Sequence, residues 1–304
     1  MFYGGIAGAS LPMEMFELGQ GISLHKTYAH LFSPCVMAFA PAPSGGHHPP
    51  PWKTAHGGFA FDITIELRVP NGLEYGGIEG KELALLLIGL MRLSAAPYLT
   101  MPVSCDMSFA DVVQSPQEPT ISPLEIEPGL FAIPDDHDGI LRCGDLDWLR
   151  EKWAAIATLM QQQPKLHTAF QAWDACRLLK RTSASLLTIW GALEQIYAPA
   201  AGELRYRVAA NMAVYLAPRG PTRLKSYKNF LQLYNKRSIA AHTADESDLE
   251  SLTESWILLR NTLVKIINDG RMPRQSDFEF FTFADTNGAT DGVSWGGGNG
   301  TVAD

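Results

Sequence analysis

Two basic residues and a histidine near the end of one helical stretch are the residues of this sequence best suited to chemistry. The stretch reads LYNKRSIAAHTA (233–244) and contains Lys236, Arg237 and His242. A histidine titrates near neutral pH and can act as a general base. An arginine stays charged and presents a planar fork of N–H donors that fits a phosphate. Together these side chains could cleave a phosphodiester bond without a metal ion.

The spacing of Arg237 and His242 does not establish such a site by itself. The chain holds 14 Arg and 8 His, so about one Arg followed by a His after four to six residues is expected by chance, and one is found. Arg237 could equally form a salt bridge, for which Glu194 is the obvious partner. His242 could be a helix-end histidine that bonds nearby carbonyl groups. The surroundings must therefore decide.

The charge around this pair differs from that of the chain as a whole, whose formal net charge is −8. Residues 199–242, the basic stretch, contain one acid, Glu203, and eight basic residues: Arg205, Arg207, Arg219, Arg223, Lys225, Lys228, Lys236 and Arg237. The local charge of +7 leaves −15 for the remaining chain. A basic island on an acidic protein suits a phosphate chain, although solvated faces of two helices would look the same.

Composition predicts a globular, cytoplasmic protein of two domains. Apolar residues make up 46% and charged residues 18% of the 304 positions. The longest apolar run, LALLLIGLM (83–91), is about half a membrane span, and Glu14 and Glu17 interrupt the N-terminus where a signal peptide would be apolar. The four cysteines are scattered, and we expect buried, reduced thiols at Cys35, Cys105, Cys143 and Cys176.

Residues 1–138 are predicted to form an α+β domain. The segment FAFDITIELRV (59–69) alternates strictly between apolar and polar residues, which is typical of a half-buried strand. The segment 79–96 predicts a buried helix that backs a small sheet. The loop 40–58 is too rich in Pro and Gly for regular structure. Weaker strand candidates are 35–40, 101–109 and 129–133.

Residues 139–272 are predicted to form an all-α bundle of four to six helices. Apolar residues recur there at spacings of three and four along five stripes: Leu149, Trp153, Ile156 and Met160; Leu186, Trp190, Leu193 and Tyr197; Val208, Met212 and Tyr215; Leu224, Tyr227, Leu231 and Tyr234; Leu249, Leu252, Trp256, Leu259, Leu263 and Ile266. Ser247 and Glu250 have the spacing of a capping box. Residues 273–304 keep one aromatic patch and are predicted to be a largely disordered tail.

Three segments of the helical part carry a resemblance to a known family. TIWGALEQIY (188–197), ELRYRVAANMAVYLAP (203–218) and LYNKRSIAAHTA (233–244) follow one another as in Apea-like HEPN domains. That family shows a W-x-A-L-E helix, an E-x-x-x-R helix and a terminal L-Y-x-x-R-S-x-x-x-H element. The resemblance covers roughly residues 145–268 and implies a HEPN helical bundle there.

The resemblance implies a metal-independent endoribonuclease of the toxin or abortive-infection type, active in antiviral defence and using no cofactor. Arg237 and His242 would be the catalytic pair, supported by Ser238 and Glu194. RNA would be bound by residues in and near the basic stretch: Lys236, Arg205, Arg207, Lys228 and Tyr234. Arg205 and Arg207 could also be ordinary surface charges, and Tyr234 could pack in the core rather than stack on a base.

A two-fold dimer is expected from helix geometry. Five residues along an ideal helix turn about 500°, which leaves Arg237 and His242 about 140° apart around the axis. Two copies packed through the 223–242 helix would bring two arginines and two histidines into one cleft. An antitoxin or a phage-derived trigger would then restrain or release the enzyme, with residues 1–138 as the sensing part. No membrane partner is expected.

Other interpretations remain open. Many active HEPN ribonucleases have Asn, Asp or His after the arginine, whereas this chain has Ser238. A non-catalytic HEPN module that binds RNA, a nucleotide or a protein is the main alternative, and a structural dimerisation unit is a third. No metal site is expected, because His47, His48, His56 and DDHD (135–138) are irregularly spaced, and the sequence has neither a phosphate loop nor an H-E-x-x-H motif.

Overall fold

The computed structural model describes residues 1–127, 138–198, 204–242 and 249–284, without the side chains of residues 33, 34 and 240–242. The chain divides into two compact units, and the described residues up to Thr158 belong to the first and those from Leu159 to the second. The predicted boundary at 138–139 lies earlier than this division, which falls within a helix. Each unit buries its own apolar residues.

The first unit is built on a six-stranded antiparallel sheet in the order β2-β3-β4-β1-β7-β8, and β5 and β6 form a separate small pair. Its described strands are β1 (Phe2–Ala7), β2 (Met15–Gly19), β3 (Ile22–Ala38), β4 (Trp52–Val69), β5 (Glu74–Tyr75), β6 (Ile78–Glu79), β7 (Thr100–Cys105) and β8 (Ile121–Pro123). The helix α1 (Gly80–Ser94) contacts β1, β4 and β7. The α+β prediction for this part of the chain is confirmed.

The alternation in β4 explains why the sheet has one dry face. Ile63, Ile65, Leu67 and Val69 occupy every second position and are fully buried. The segment 83–91 supplies the matching apolar surface of α1, where nearly every residue is buried. The strand and the helix predicted at 59–69 and 79–96 are therefore present.

The prediction of an irregular loop over 40–58 is wrong for residues 52–58, which belong to β4. Ser33 pairs with Phe59 and Cys35 with Ala55, so β4 holds two more residues than β3 between these pairs. Gly57 and Gly58 lie in this insertion with φ angles of 114° and 102°, which other residues rarely adopt. Glycine here allows a strand to continue through an irregularity instead of ending it.

Residues 27–38 of β3 and 52–62 of β4 form a hairpin that we call the arm. Within the described residues, β2 pairs with β3 only over residues 22–25, and β1 pairs with β4 only over residues 65–69. The arm is thus a two-stranded extension of the sheet.

The helical region predicted after residue 138 is confirmed, although the division at Thr158 places most of α2 in the first unit and α3 to α8 in the second. The described helices are α2 (Cys143–Gln162), α3 (Pro164–Ala175), α4 (Thr182–Tyr197), α5 (Leu204–Leu216), α6 (Pro221–His242), α7 (Leu249–Asp269) and α8 (Gln275–Phe283), with a 3₁₀ turn at Cys176–Leu178. In the described segments, no helix is both long enough and apolar enough to cross a membrane.

The helix α8 corrects the prediction of a disordered tail for residues 275–283. Phe278 anchors it, since this side chain is 1% exposed and packs against Tyr197 and Tyr215. The strand candidate at 129–133, the segment DDHD up to residue 137, the capping residue Ser247 and the tail from residue 285 lie outside the described residues.

Aromatic side chains with polar atoms fill the core of the second unit. Trp173 stacks on Trp256 with ring centroids 4.8 Å apart and an interplanar angle of 27°. The indole of Trp190 donates a hydrogen bond to the hydroxyl of Ser255 at 3.1 Å. The indole of Trp256 donates to the backbone carbonyl of Trp173 at 3.3 Å, whereas Nε1 of Trp173 is buried without a hydrogen-bond partner among the described residues.

The predicted apolar stripes on α2, α4, α5 and α7 are buried, except for Leu249, the first residue of the stripe on α7, which is exposed. The stripe on α6 is wrong at Leu224, which is 56% exposed, and confirmed at Tyr234, which is buried. Phe230 and Leu233, outside the predicted stripe, are also buried. The helix is therefore rotated relative to the prediction, and one apolar edge faces outward.

The cysteines also differ from the prediction. Cys105 and Cys176 are buried free thiols, as expected, whereas Cys35 and Cys143 are exposed. Cys35 lies in the arm, where both faces of the hairpin contact solvent.

Candidate functional site

Arg237 lies on the side of α6 that packs against α4. Its Nη2 atom is 3.2 Å from Oε1 of Glu194, and the two side chains are 23% and 18% exposed. This is the ion pair that the sequence predicted. Glu194 follows Trp190 by one helical turn, so the packing of Trp190 in the bundle aims the carboxylate at α6.

Tyr234 shares the same carboxylate. Its hydroxyl donates a hydrogen bond of 2.8 Å to Oε1 of Glu194. The edge of Trp190 meets its ring at 5.2 Å and 82°, and the guanidinium carbon of Arg237 lies 5.5 Å from its centroid. With 7% exposure and both neighbours in contact, Tyr234 fits core packing rather than stacking on a base.

The environment keeps the Tyr234 hydroxyl protonated. Burial, then the hydrogen bond to Glu194 and the charge of that carboxylate, raise the pKa of Tyr234 to about 12, against a smaller opposing effect of Arg237. Tyr234 is thus a hydrogen-bond donor at neutral pH and cannot serve as a general base there.

The guanidinium of Arg237 retains donor capacity. Its Nε atom is buried and has no hydrogen-bond partner within the described part of the chain. A guanidinium carries five N–H donors, and the carboxylate of Glu194 takes only part of this capacity. An anion with oxygen acceptors could therefore complete the hydrogen bonding of Arg237.

The other predicted binding residues are spread over α5 and α6. Lys228 and Lys236 are exposed on α6, and Ser238 is half-buried beside Arg237. On α5, Arg205 and Arg207 are half-buried, and the guanidinium carbon of Arg205 lies 5.2 Å from the centroid of the Tyr206 ring. The structure brings Glu194, Tyr234 and Arg237 into one cluster. It records no ion pair or hydrogen bond from Lys228 or Arg205 to that cluster.

His242 is the last residue of α6. Its side chain lies outside the part of the chain that the structure describes, so the distance between His242 and Arg237 stays a prediction. Because α6 runs without a break from Arg237 to His242, the offset of about 140° between the two positions still applies.

A groove along another side of α6 was missed by the sequence analysis. It has a volume of about 630 Å³ and lies between α5, α6 and α7. Phe230, Leu233 and Leu258 form its apolar floor, and Asn229 and Asn261 add amide groups. Phe230, Leu233 and Arg237 follow one another at spacings of three and four, and this pattern could have indicated the packed face of α6.

No metal centre accompanies the cluster: across the described residues, no three His, Cys, Asp or Glu side chains come together as a metal site requires. No protein-family model, no curated protein and no solved structure matches the chain. The resemblance to Apea-like HEPN domains therefore rests on the quoted motifs alone.

Proposed function

We propose that the protein is a metal-independent endoribonuclease of the HEPN type, acting as a toxin or abortive-infection effector. The observation that carries this proposal is the state of Arg237, a mostly buried guanidinium held by Glu194 at 3.2 Å with its Nε donor still without an acceptor. The arginine is fixed in place, so it loses little freedom when a phosphate binds.

In the proposed reaction, His242 takes the proton of a ribose 2′-OH, and the 2′ oxygen forms a bond to the adjacent phosphorus. The bond from phosphorus to the 5′ oxygen breaks, that oxygen takes a proton from solvent, and His242 returns its proton to solvent. The products are a 2′,3′-cyclic phosphate and a 5′-OH. Arg237 stabilises the extra negative charge on the phosphorus-bound oxygens at the transition state.

A two-fold dimer through α6 is part of the proposal. The exposed edge of this helix includes Leu224 at 56% and Ile239 at 60%, with Leu231 half-buried between them. An apolar edge beside the basic residues supports helix packing between two copies. Such a dimer would bring His242 of one copy to Arg237 of the other.

The test uses the purified full chain and a short RNA in buffer containing EDTA. Cleavage is expected for the wild type, with a cyclic phosphate end, and is expected to be lost in Arg237→Ala and in His242→Ala. The matched control is Lys165→Ala, which removes an exposed cation on α3, outside the basic stretch. RNA with a 2′-deoxy ribose at the cleaved position should resist. Cleavage that persists in His242→Ala overturns the proposal.

A non-catalytic RNA- or nucleotide-binding module is the second candidate, and the groove favours it. Asn229 and Asn261 offer the donors and acceptors that read base edges, and Lys225 and Lys228 lie on the adjoining surface of α6. In that case His242→Ala keeps its affinity for RNA, no product forms, and binding weakens steeply with added salt.

A further inference from the structure

One face of the arm carries large apolar side chains in full contact with solvent. Tyr28, Phe32 and Val36 lie four residues apart on β3, which places them on one side of the strand, and they are 70%, 67% and 58% exposed. Trp52 of β4 is 58% exposed and lies opposite Ala38, which continues the same alternation. Together with His30, these residues define the arm face.

Contacts between side chains join the part of the arm face formed by Tyr28, His30, Phe32 and Asp62. The ring of His30 lies 6.0 Å from that of Phe32. The hydroxyl of Tyr28 and Nδ1 of His30 reach the same oxygen of Asp62, at 3.2 and 2.8 Å. The neighbouring positions, Ala29 and Leu31, instead pack toward the core cluster of the first unit. The arm face is thus the side of the hairpin that points away from that core.

The arm lacks the charges that normally protect such a surface. Between residues 27 and 61, Lys53 is the only Lys, Arg, Asp or Glu. Lys53 lies opposite Met37 rather than on the arm face. Exposed strands usually carry lysines that prevent association, whereas the centres of protein interfaces are poor in charge and rich in aromatic residues and methionine. The composition of the arm is that of an interface.

The exposed area also suits an interface. An aromatic side chain offers about 150–250 Å² of surface, so the four large side chains expose roughly 500 Å². The largest apolar patch of a typical monomer is about 300–600 Å², and a standard interface buries about 800 Å² on each partner. Packing of the whole arm face, with its polar neighbours, would reach that size.

We propose that the arm face binds a second copy of this chain, with two arms packed face to face across a two-fold axis. A two-fold contact needs a surface that complements itself, and a nearly uncharged, twisted ribbon meets this requirement without repulsion. The one carboxylate on the face, Asp62, already accepts hydrogen bonds from Tyr28 and His30, so it enters the contact with partners in place. A two-stranded hairpin is marginally stable alone, and the contact would stabilise it.

The arm contact is separate from the α6 dimer, and mass measurements distinguish the two. We would measure sedimentation of the full chain carrying Leu224→Glu, which places a charge on the exposed edge of α6. This variant is expected to remain a dimer through the arm. Adding Phe32→Ser and Trp52→Ser should convert it to a folded monomer, since both side chains are exposed and neither belongs to the core. Val113→Ser, at a position 90% exposed outside the arm, is the matched control.

Cross-linking then tests the orientation of the arms. The background protein carries Leu224→Glu together with Cys35→Ser and Cys143→Ser, which remove the two exposed thiols. In this background, Thr54→Cys adds a thiol on the arm face, opposite Val36. Lys53→Cys, the control, adds a thiol opposite Met37. A short bismaleimide should join two copies through position 54 and not through position 53. The proposal is overturned if the Leu224→Glu protein sediments as a monomer at every concentration. It is also overturned if the arm substitutions abolish binding to phosphatidylcholine vesicles without changing the sedimenting mass of the protein. Neither result depends on cleavage of RNA.

Discussion

At the scale of single residues, the guanidinium of Arg237 is placed by two constraints. The carboxylate of Glu194 fixes its position, and the ring of Tyr234 lies along it. Both contacts depend on the planar shape of the Arg237 guanidinium, and the ammonium group of a lysine is not planar.

In the proposed reaction, replacing Arg237 by lysine should therefore lower the rate of RNA cleavage by about 10²–10³-fold, as the loss of one transition-state donor does in other enzymes. The charge is kept, but the fork of donors is lost. Single-turnover cleavage assays measure the effect, and Lys165→Arg serves as the control. A rate within about threefold of the wild type would contradict the assignment of Arg237 to the phosphate.

Tyr234 should make stability depend on alkaline pH. The pKa is raised from the ordinary value of about 10 to about 12, so the protonated form is favoured by folding. The contribution of protonated Tyr234 to the free energy of unfolding is complete below pH 10 and is lost as the pH rises toward 12. In urea denaturation, Tyr234→Phe should lose less stability over that interval than the wild type. Tyr206→Phe, which alters an exposed ring on α5, should follow the wild-type profile.

The comparison with Tyr234→Phe is needed because burial also raises the pKa of Tyr197 and of Tyr215. Those two groups contribute equally to the wild type and to the variant. Parallel curves for the two proteins would show that folding does not raise the pKa of Tyr234.

The sequence allowed part of the site to be predicted at this scale. Helical spacing placed Glu194 on the same side as Trp190, and the ion pair with Arg237 followed from it. The shared hydrogen bond of Tyr234 could not be predicted, because it depends on how α6 is rotated against α4. The burial of Glu66 with Arg68 and Ser108 was missed for a similar reason, since Glu66 and Arg68 lie on β4 and Ser108 lies in a loop distant in sequence.

At the scale of elements, long periodic segments were predicted and less regular ones were not. The strand 59–69 and α7 bury one clear face, so a single pattern identifies each. On α6, Leu224 and Leu231 form one stripe and Phe230 and Leu233 another, and only tertiary packing selects between them. The arm was missed because Pro and Gly in the tip obscured the strand that resumes at Trp52.

The helix α8 gives a test within one element. Phe278→Ala should lower the free energy of unfolding by about 3–5 kcal/mol, because a buried ring leaves a cavity against Tyr197 and Tyr215. Phe280→Ala, on the same helix and 61% exposed, should change it by no more than about 0.5 kcal/mol. Thermal and urea denaturation measure both. Equal effects would mean that α8 does not pack as described.

At the scale of the whole molecule, the first unit depends on a buried ion pair that the sequence did not indicate. Arg92 forms an ion pair with Glu125, and its Nε donates to the carbonyl of Leu99 at 2.8 Å. The carboxylate of Glu125 also accepts the backbone N–H of Met101 at 2.8 Å. The pair therefore joins α1 to the segments on either side of β7.

Glu125→Ala should destabilise the first unit by about 3–5 kcal/mol, because it removes a buried carboxylate that pairs with Arg92 and accepts the N–H of Met101. Hydrogen exchange should show the loss in peptides before Thr158 and leave those of α4 and α7 protected, since the two units have separate cores. Glu118→Ala, an exposed acid of the same unit, is the control. A uniform loss of protection along the chain would contradict two separate cores.

The stacked indoles of Trp173 and Trp256 also give the second unit an optical signature. Two aromatic chromophores 4.8 Å apart couple their electronic transitions, and such coupling produces paired bands of opposite sign in far-ultraviolet circular dichroism. These bands depend on the contact between α3 and α7, not on helix content. They would therefore disappear when the two helices separate, even if each remained helical, and so would follow the opening of the bundle in real time.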